Sequence, residues 1–275
     1  MTPETEPFEG YACVRLQGER STLHVTVSAG PRIIGLSGRG HNVMAVVPDA
    51  TLERPGGAPF RLMGGHRLWA SPEVPEITYE PDERPCSVSS IADGVRVEAP
   101  ADGAGLVKAL EIRAAGEDWI VDHELRNASA SALTVAAWAI TQLRSGGRAV
   151  LPLGDRVPGY QADRSLVLWP YTDLDDPRLA FEGDGVAVQA VPGDGPVKVG
   201  AAPGRGWVSY TFDDEVFEKR VEVDPSRPYP DRGAAVQVFA RDDFCELETL
   251  GPLVTLGADE ATTHRETWTL REAST

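Results

Sequence analysis

Apolar and polar positions alternate along this chain in short runs broken by Gly, Pro, Asp and Asn, and almost no segment keeps a helical repeat beyond two turns. The pattern predicts strands over Thr22–Val27, Ile33–Leu36, Val95–Glu98, Val107–Ala114, Trp119–Arg126, Thr134–Thr141, Val186–Ala190, Trp207–Phe212, Phe217–Val223, Ala235–Ala240, Cys245–Thr249 and Thr262–Leu270. So many short strands exceed what a small immunoglobulin-like sandwich holds. No motif recurs at a blade-length period, which favours two large antiparallel sheets over a propeller. The expectation is an all-β sandwich with little helix, formed by one domain over residues 1–275 with its core at about 10–271.

Two stretches read as long functional loops, Pro48–Arg84 and Gly146–Leu179, because turn residues dominate them while Trp, His and Arg persist. In the first lies Gly64-Gly65-His66-Arg67-Leu68-Trp69, which joins backbone freedom, a titratable ring, a fixed cation and an indole. A pyranose offers hydroxyls to polar partners and a face of C–H groups to an aromatic ring, so that mixture suits a sugar. Each residue also has a plain structural reading: Trp69 as core, Arg67 as a surface pair, His66 as a hydrogen-bonded imidazole. The second stretch holds Trp169 and the acidic turn Asp173, Asp175, Asp176 followed by Arg178. That turn lacks the central Gly and terminal Glu of a calcium loop and reads as a capped turn with an internal Asp–Arg pair.

Near the C-terminus, Phe244-Cys245-Glu246-Leu247-Glu248-Thr249-Leu250 is an apolar strand carrying two carboxylates. Residues two apart share a strand face, so Glu246 and Glu248 are expected side by side, and burial would raise the proton affinity of either. A carboxyl with such an affinity suits a general base near neutral pH; hydrogen bonding to an arginine or the backbone is the structural alternative.

Composition narrows the partners. The formal charge is −16, and no basic stripe interrupts it, so neither nucleic acid nor an anionic membrane is an expected partner. Cys13, Cys86 and Cys245 are odd in number and far apart, which fits reduced thiols in the cytoplasm. The acidic N-terminal segment does not read as a signal peptide, and no apolar run is long enough to cross a bilayer. The histidines show no transition-metal spacing, and there is no Gly-x-Ser-x-Gly elbow, phosphate loop or dinucleotide fingerprint. Neither metal nor cofactor is therefore expected.

Taken in order, Gly30-Pro31-Arg32-Ile33-Ile34, Gly64-Gly65-His66-Arg67-Leu68-Trp69, Ala137-Trp138-Ala139-Ile140-Thr141, Trp169-Pro170-Tyr171, Tyr229-Pro230-Asp231 and Glu246-Leu247-Glu248-Thr249-Leu250-Gly251-Pro252 resemble a bacterial family of the galactose mutarotase-like (aldose 1-epimerase-like) superfamily. The resemblance runs from about Gly10 to Leu270. It implies a β-supersandwich with a sugar-type cleft and no cofactor, in which a glutamate base works with a histidine acid. Phe244-Cys245-Glu246-Leu247-Glu248-Thr249 is similar to the segment holding that glutamate, which implies the base role for Glu248. It sets His66 against a substrate-binding histidine, and implies binding roles for Arg67, Trp69, Glu246, Trp138, Trp169, Arg32 and Asp231. One departure is clear: tryptophan, Trp138, stands at or near the place of the acid histidine, so His66 would have to supply the acid. Three functions stay open: a cofactor-independent epimerase-like isomerase, a non-catalytic carbohydrate-binding protein, and a recruited acid–base enzyme, such as a lyase, acting on another cyclic metabolite.

Overall fold

The alternating runs fold as strands, and the turn-rich stretches between them hold further short ones. The computed structural model describes residues 3–202 and 204–273; residues 1–2 and 274–275, the ends of the expected domain, lie outside the described residues. The larger sheet runs laterally as β1 (Glu6–Phe8), β2 (Tyr11–Gln17), β3 (Thr22–Thr26), β4 (Arg32–Ser37), β7 (His66–Ser71), β12 (Leu133–Arg144), β21 (Phe244–Leu250), β20 (Val236–Ala240), β17 (Val197–Ala202) and β14 (Ser165–Leu168), with β22 (Val254–Leu256) paired to β12. The second sheet runs β15 (Leu179–Glu182), β16 (Gly185–Gln189), β13 (Arg148–Pro152), β18 (Trp207–Phe212), β19 (Glu215–Arg220), β23 (Ala261–Glu272), β11 (Asp118–Asn127), β10 (Leu106–Ala115), β9 (Gly94–Glu98) and β8 (Ser87–Ile91). A separate hairpin, β5 (Val46–Leu52) and β6 (Phe60–Gly64), completes the β-structure of the described residues.

The expected all-β sandwich is observed. Helix is confined, among the described residues, to two four-residue turns, α1 (Pro75–Thr78) and α2 (Pro230–Gly233). The inward faces of both sheets share one apolar core, with Leu23, Val25, Ile33, Leu143, Val238 and Leu247 from the larger sheet meeting Leu110, Val121, Leu151, Val208, Phe217 and Trp268 from the other. A second apolar cluster lies on the outer face of the larger sheet, where Phe60 and Leu62 of the hairpin cover Trp69, Trp138, Ile140, Phe244 and Leu250. That outer face positions the site.

The reading of Pro48–Arg84 and Gly146–Leu179 as loops is corrected. The first holds the hairpin, central strand β7 and α1, and the second holds β13 and β14. Every residue of β7 is buried, so its sequence shows no alternation of polar and apolar positions to mark it as a strand. Gly64 and Gly65 bend the chain from the hairpin into β7 with φ of +98° and +67°. A Cβ at either would sit 2.1 Å from the Ala45 carbonyl oxygen or 2.3 Å from that of Ile33, so the two glycines serve the fold and not a ligand.

Candidate active site

Strand alternation decides which side chains meet. In β21, Phe244, Glu246, Glu248 and Leu250 project to the outer face, while Cys245, Leu247 and Thr249 project between the sheets. Cross-strand pairing then lays a grid across the outer face: Glu248 is opposite Ile140 of β12 and Gln237 of β20, and Glu246 is opposite Gln142 and Phe239. Trp138 is opposite Trp69 of β7, Ile140 is opposite Arg67, and Lys198 of β17 is opposite Phe239. Above this grid opens a cleft of about 110 Å³, lined by Leu52, Leu62, Arg67, Trp69, Glu73, Tyr79, Trp138, Tyr171, Lys198, Phe239, Arg241, Phe244 and Glu246.

The two carboxylates share this face, each gripped by a cation. Arg67 donates from Nη2 to Glu246 Oε1 at 2.9 Å and lies flat on Trp69, its guanidinium carbon 4.1 Å from the ring centroid. Lys198 Nζ donates to Glu248 Oε2 at 2.8 Å and is sandwiched by indoles, 4.8 Å from Trp138 and 4.6 Å from Trp169. Trp138 Nε1 donates to the same oxygen at 2.8 Å. Glu248 Oε1 has no protein partner. Burial pushes the Glu248 carboxyl up to about 7, against the pull of Lys198 and with help from the Glu246 charge. Glu248 itself is 0% exposed and lies behind Lys198 and Trp138 as seen from the cleft.

His66 is not part of this cleft, which corrects its expected role as acid or substrate ligand. It precedes Arg67 on β7 and therefore points through the opposite face, into the interior between the sheets. There its Nδ1 meets Thr141 Oγ1 at 2.9 Å and its Nε2 meets His123 Nε2 at 2.6 Å. One tautomer set satisfies the network: His123 Nδ1–H donates to the His264 carbonyl at 2.9 Å, leaving its Nε2 to accept from His66, whose Nδ1 accepts from Thr141. Glu266 accepts from Lys219 at 2.7 Å, from Trp268 at 2.6 Å and from Thr249. Lys219 completes its three donors on the carbonyls of Ala139 and Leu247, each at 3.2 Å. His66, His123 and Glu266 bring ligand atoms within 4.8 Å of one another, the spacing of a metal centre. Their lone pairs are already engaged, the two ring nitrogens are closer than metal ligands stand, and Lys219 supplies the cation, so the residues do not fit a metal. Burial holds the His66 imidazole well below its ordinary range, and takes His264 down to about 3.

The other expected residues divide. Glu246, Arg67, Trp69 and Trp138 line the cleft, and Trp169 stands behind Lys198 over Gly200, where a Cβ would approach its ring to 3.3 Å. Arg32 is corrected: fully buried beneath the hairpin, it donates to the Leu62 and Gly64 carbonyls at 2.9 and 3.2 Å and to Asp82 at 2.8 Å. Asp231 is corrected as well: it does not line the cleft and instead accepts from Gln237 Nε2 at 2.8 Å, beside Glu248. The acidic turn forms its internal pair, with Arg178 Nη2 2.7 Å from Asp176.

Sequence reasoning missed Lys198, Arg241, Tyr79, Tyr171 and Phe239. Lys198 had a signal. Only three lysines, Lys108, Lys198 and Lys219, occur among the 26 basic residues. All three are buried and each is paired with a carboxylate, so a lysine in this chain marks a buried ion pair.

No protein-family model matches the chain, and no curated protein matches its sequence. Among solved structures it is similar to a provisionally assigned aldose 1-epimerase from Escherichia coli K12, with 13% identity, a TM-score of 0.58, and coverage of 94% of this chain and 98% of that one. A galactose mutarotase-like protein from Lactobacillus casei gives 9% identity and a TM-score of 0.58 over 94% of this chain and 100% of that one. A galactose mutarotase related enzyme from Lactobacillus acidophilus gives 8% and 0.53 over 96% and 100%. No helix among the described residues is long and apolar enough to cross a membrane. The chain has the galactose mutarotase-like, aldose 1-epimerase-type β-sandwich fold.

Proposed function

We propose that the cleft takes a sugar or sugar-like ring and carries acid–base chemistry in which Glu248 is the general base and Lys198 its proton partner. The observation that carries this reading is the Glu248–Lys198 contact at 2.8 Å, with one carboxylate oxygen left free and the carboxyl raised to about 7. In an anomer exchange, Glu248 takes the proton of the anomeric hydroxyl, the bond from C1 to the ring oxygen breaks, and Lys198 protonates that oxygen. After rotation about C1–C2 the two transfers run backwards, the ring hydroxyl giving its proton to Lys198 as its oxygen closes on C1 and Glu248 returning its proton to the carbonyl oxygen, which gives the other anomer and restores both groups. Both transfers are proton transfers, so the cycle needs no cofactor. Lysine thereby fills the place that His66 cannot reach, while the aromatic walls Trp69, Trp138, Tyr79, Tyr171, Phe239 and Phe244 hold the ring.

A binding-only function has one observation in its favour: Glu248 is 0% exposed behind Lys198 and Trp138. Anomer exchange followed by NMR saturation transfer separates the two. Glu248→Gln should lower turnover by about 10² to 10⁴ while leaving ligand affinity within a few-fold, and Glu246→Gln should act mainly on affinity. A wild-type protein that binds sugars and accelerates no anomer exchange leaves the binding reading in place.

A further inference from the structure

Two buried side-chain oxygens on neighbouring strands of the outer face lack a donor. Gln237 of β20 and Glu248 of β21 are directly opposite in the antiparallel pair, and both side chains project outward, away from the core residues Val236, Val238 and Leu247. Each residue is 0% exposed. Gln237 Nε2 donates to Asp231 Oδ2 at 2.8 Å and to the Ala234 carbonyl at 3.0 Å. A carboxylate and a carbonyl only accept, so the amide cannot be turned round, and its oxygen is held as an acceptor without a donor. Glu248 uses Oε2 for Lys198 and Trp138, and its Oε1 has no partner either. The buried donors left over on this face do not serve the two oxygens: those of Arg67 and Trp69 are on β7, beyond β12, and Gln142 lies opposite Glu246.

We propose that Gln237, fixed by Asp231, is a positioning residue that accepts the hydrogen of the protonated Glu248 carboxyl and so strengthens Glu248 as a base. This role rests on the acid–base reading above and adds a residue to it. A proton taken up by Glu248 arrives on Oε1, the oxygen that neither Lys198 nor Trp138 occupies, and the new O–H turns to Gln237 Oε1. Only the protonated form can make that hydrogen bond, whereas the ionised form sets a carboxylate oxygen against the negative end of the amide dipole. Both effects raise the proton affinity, in the direction in which burial already holds this carboxyl. The charged and titratable groups around it are Lys198 from β17, Glu246 and Cys245 on its own strand, Tyr171 from the loop after β14, Asp231 beyond Gln237, and Lys219 reaching from the second sheet. Gln237 carries no charge, so a neutral substitution there leaves all of these in place and isolates the hydrogen bond.

NMR of the full chain, labelled with carbon-13 at the glutamate carboxyls and assigned with Glu248→Gln, follows the Glu248 titration directly and needs no substrate. Gln237→Met removes the acceptor at nearly constant volume and should lower the midpoint from about 7 by about one pH unit, a tenfold loss of proton affinity. Gln237→Asn keeps an amide that is one methylene too short, so it should move the midpoint the same way and serves if the methionine variant does not fold. A packing role alone would lower the melting temperature and leave the midpoint where it is. An unchanged or raised midpoint in a folded variant overturns the inference, and so does a wild-type midpoint at or below 4.5. A lowered midpoint in a protein that accelerates no anomer exchange supports the Gln237 contact and counts against the epimerase reading alone. Where exchange occurs, the acid limb of its pH profile should move down with the midpoint in Gln237→Met.

Discussion

Strand β21 separates two sets of buried ionisable groups only a strand's thickness apart, and they are satisfied to different degrees. On the inner side, His66, His123, Lys219, Glu266 and Thr249 leave no buried side-chain nitrogen or oxygen without a partner. On the outer side, Arg67, Trp69 and Glu248 each keep at least one orphaned polar atom, and Gln142 and Gln237 beside them do the same. A buried polar group without a partner costs about 1–3 kcal/mol, so an assembly that tolerates several in one place has been kept for something besides stability. The inner set holds two sheets together; the outer set is the one that the function proposed above would complete with a ligand. Burial and histidine content alone would have chosen the inner set, and the orphaned atoms choose the outer.

The largest effect that could break this contrast is on the inner side. Lys219→Met strands the Glu266 carboxylate and frees two carbonyls, and it should cost about 3–5 kcal/mol in urea unfolding. Adding Glu266→Gln should recover part of that loss, because the stranded charge goes with it. A Lys219→Met protein that unfolds like the wild type would show that the inner network is not structural.

The next effect is a pH dependence. Burial depresses His66, His123 and His264, the last to about 3, so the folded state stays neutral where the unfolded chain protonates. Below about 6.5 the unfolded state binds more protons, and stability therefore falls as pH drops from about 6.5 towards 3, by one to a few kcal/mol. The loss begins above the range in which paired carboxylates such as Asp122 and Asp176 protonate. His264→Gln should flatten the slope between pH 6 and 4, and an unchanged slope would remove this histidine from the account.

How far the sequence could be read follows the same division. All twelve expected strands have counterparts in the structure, because each shows either alternation or an apolar run bounded by turn residues. β7 was hidden because it is buried on both faces, between the core and the hairpin, and its run follows a Gly-rich bend. That one miss set His66 beside Arg67 and Trp69 as a single cluster, when the period of two sends it to the other side of the sheet. Glu246 and Glu248 were placed on one face correctly by the same period. Lys198, fifty residues earlier in the chain, has no local motif to announce it, and only the rarity of lysine points to it. Arg32 and Asp231 came from motif order, and order along a chain does not distinguish a residue that lines a cleft from one that braces a strand beneath it.

The smallest expected effect is also the sharpest test of the outer set, because its sign is opposite to that of the histidines. Glu248 is raised from 4.5 to about 7, so between those values the folded protein holds a proton that the unfolded chain has released. Stability contributed at this site therefore falls as pH rises from about 4.5 to about 7 and is level above that. The full shift corresponds to about 3 kcal/mol at most, and the close coupling to Lys198 reduces what is seen. Glu248→Gln removes the titration. The variant loses the same uncharged contacts at every pH, so the informative quantity is its stability relative to wild type at pH 8 minus that at pH 5, which should be positive. Measuring unfolding of both proteins by urea across this range cancels the histidine contribution, since the inner network is common to them. A difference that is zero or negative would mean that Glu248 is already ionised in the folded state at pH 5. It would then be a structural anion held by Lys198 and Trp138, and the outer set would resemble the inner one after all.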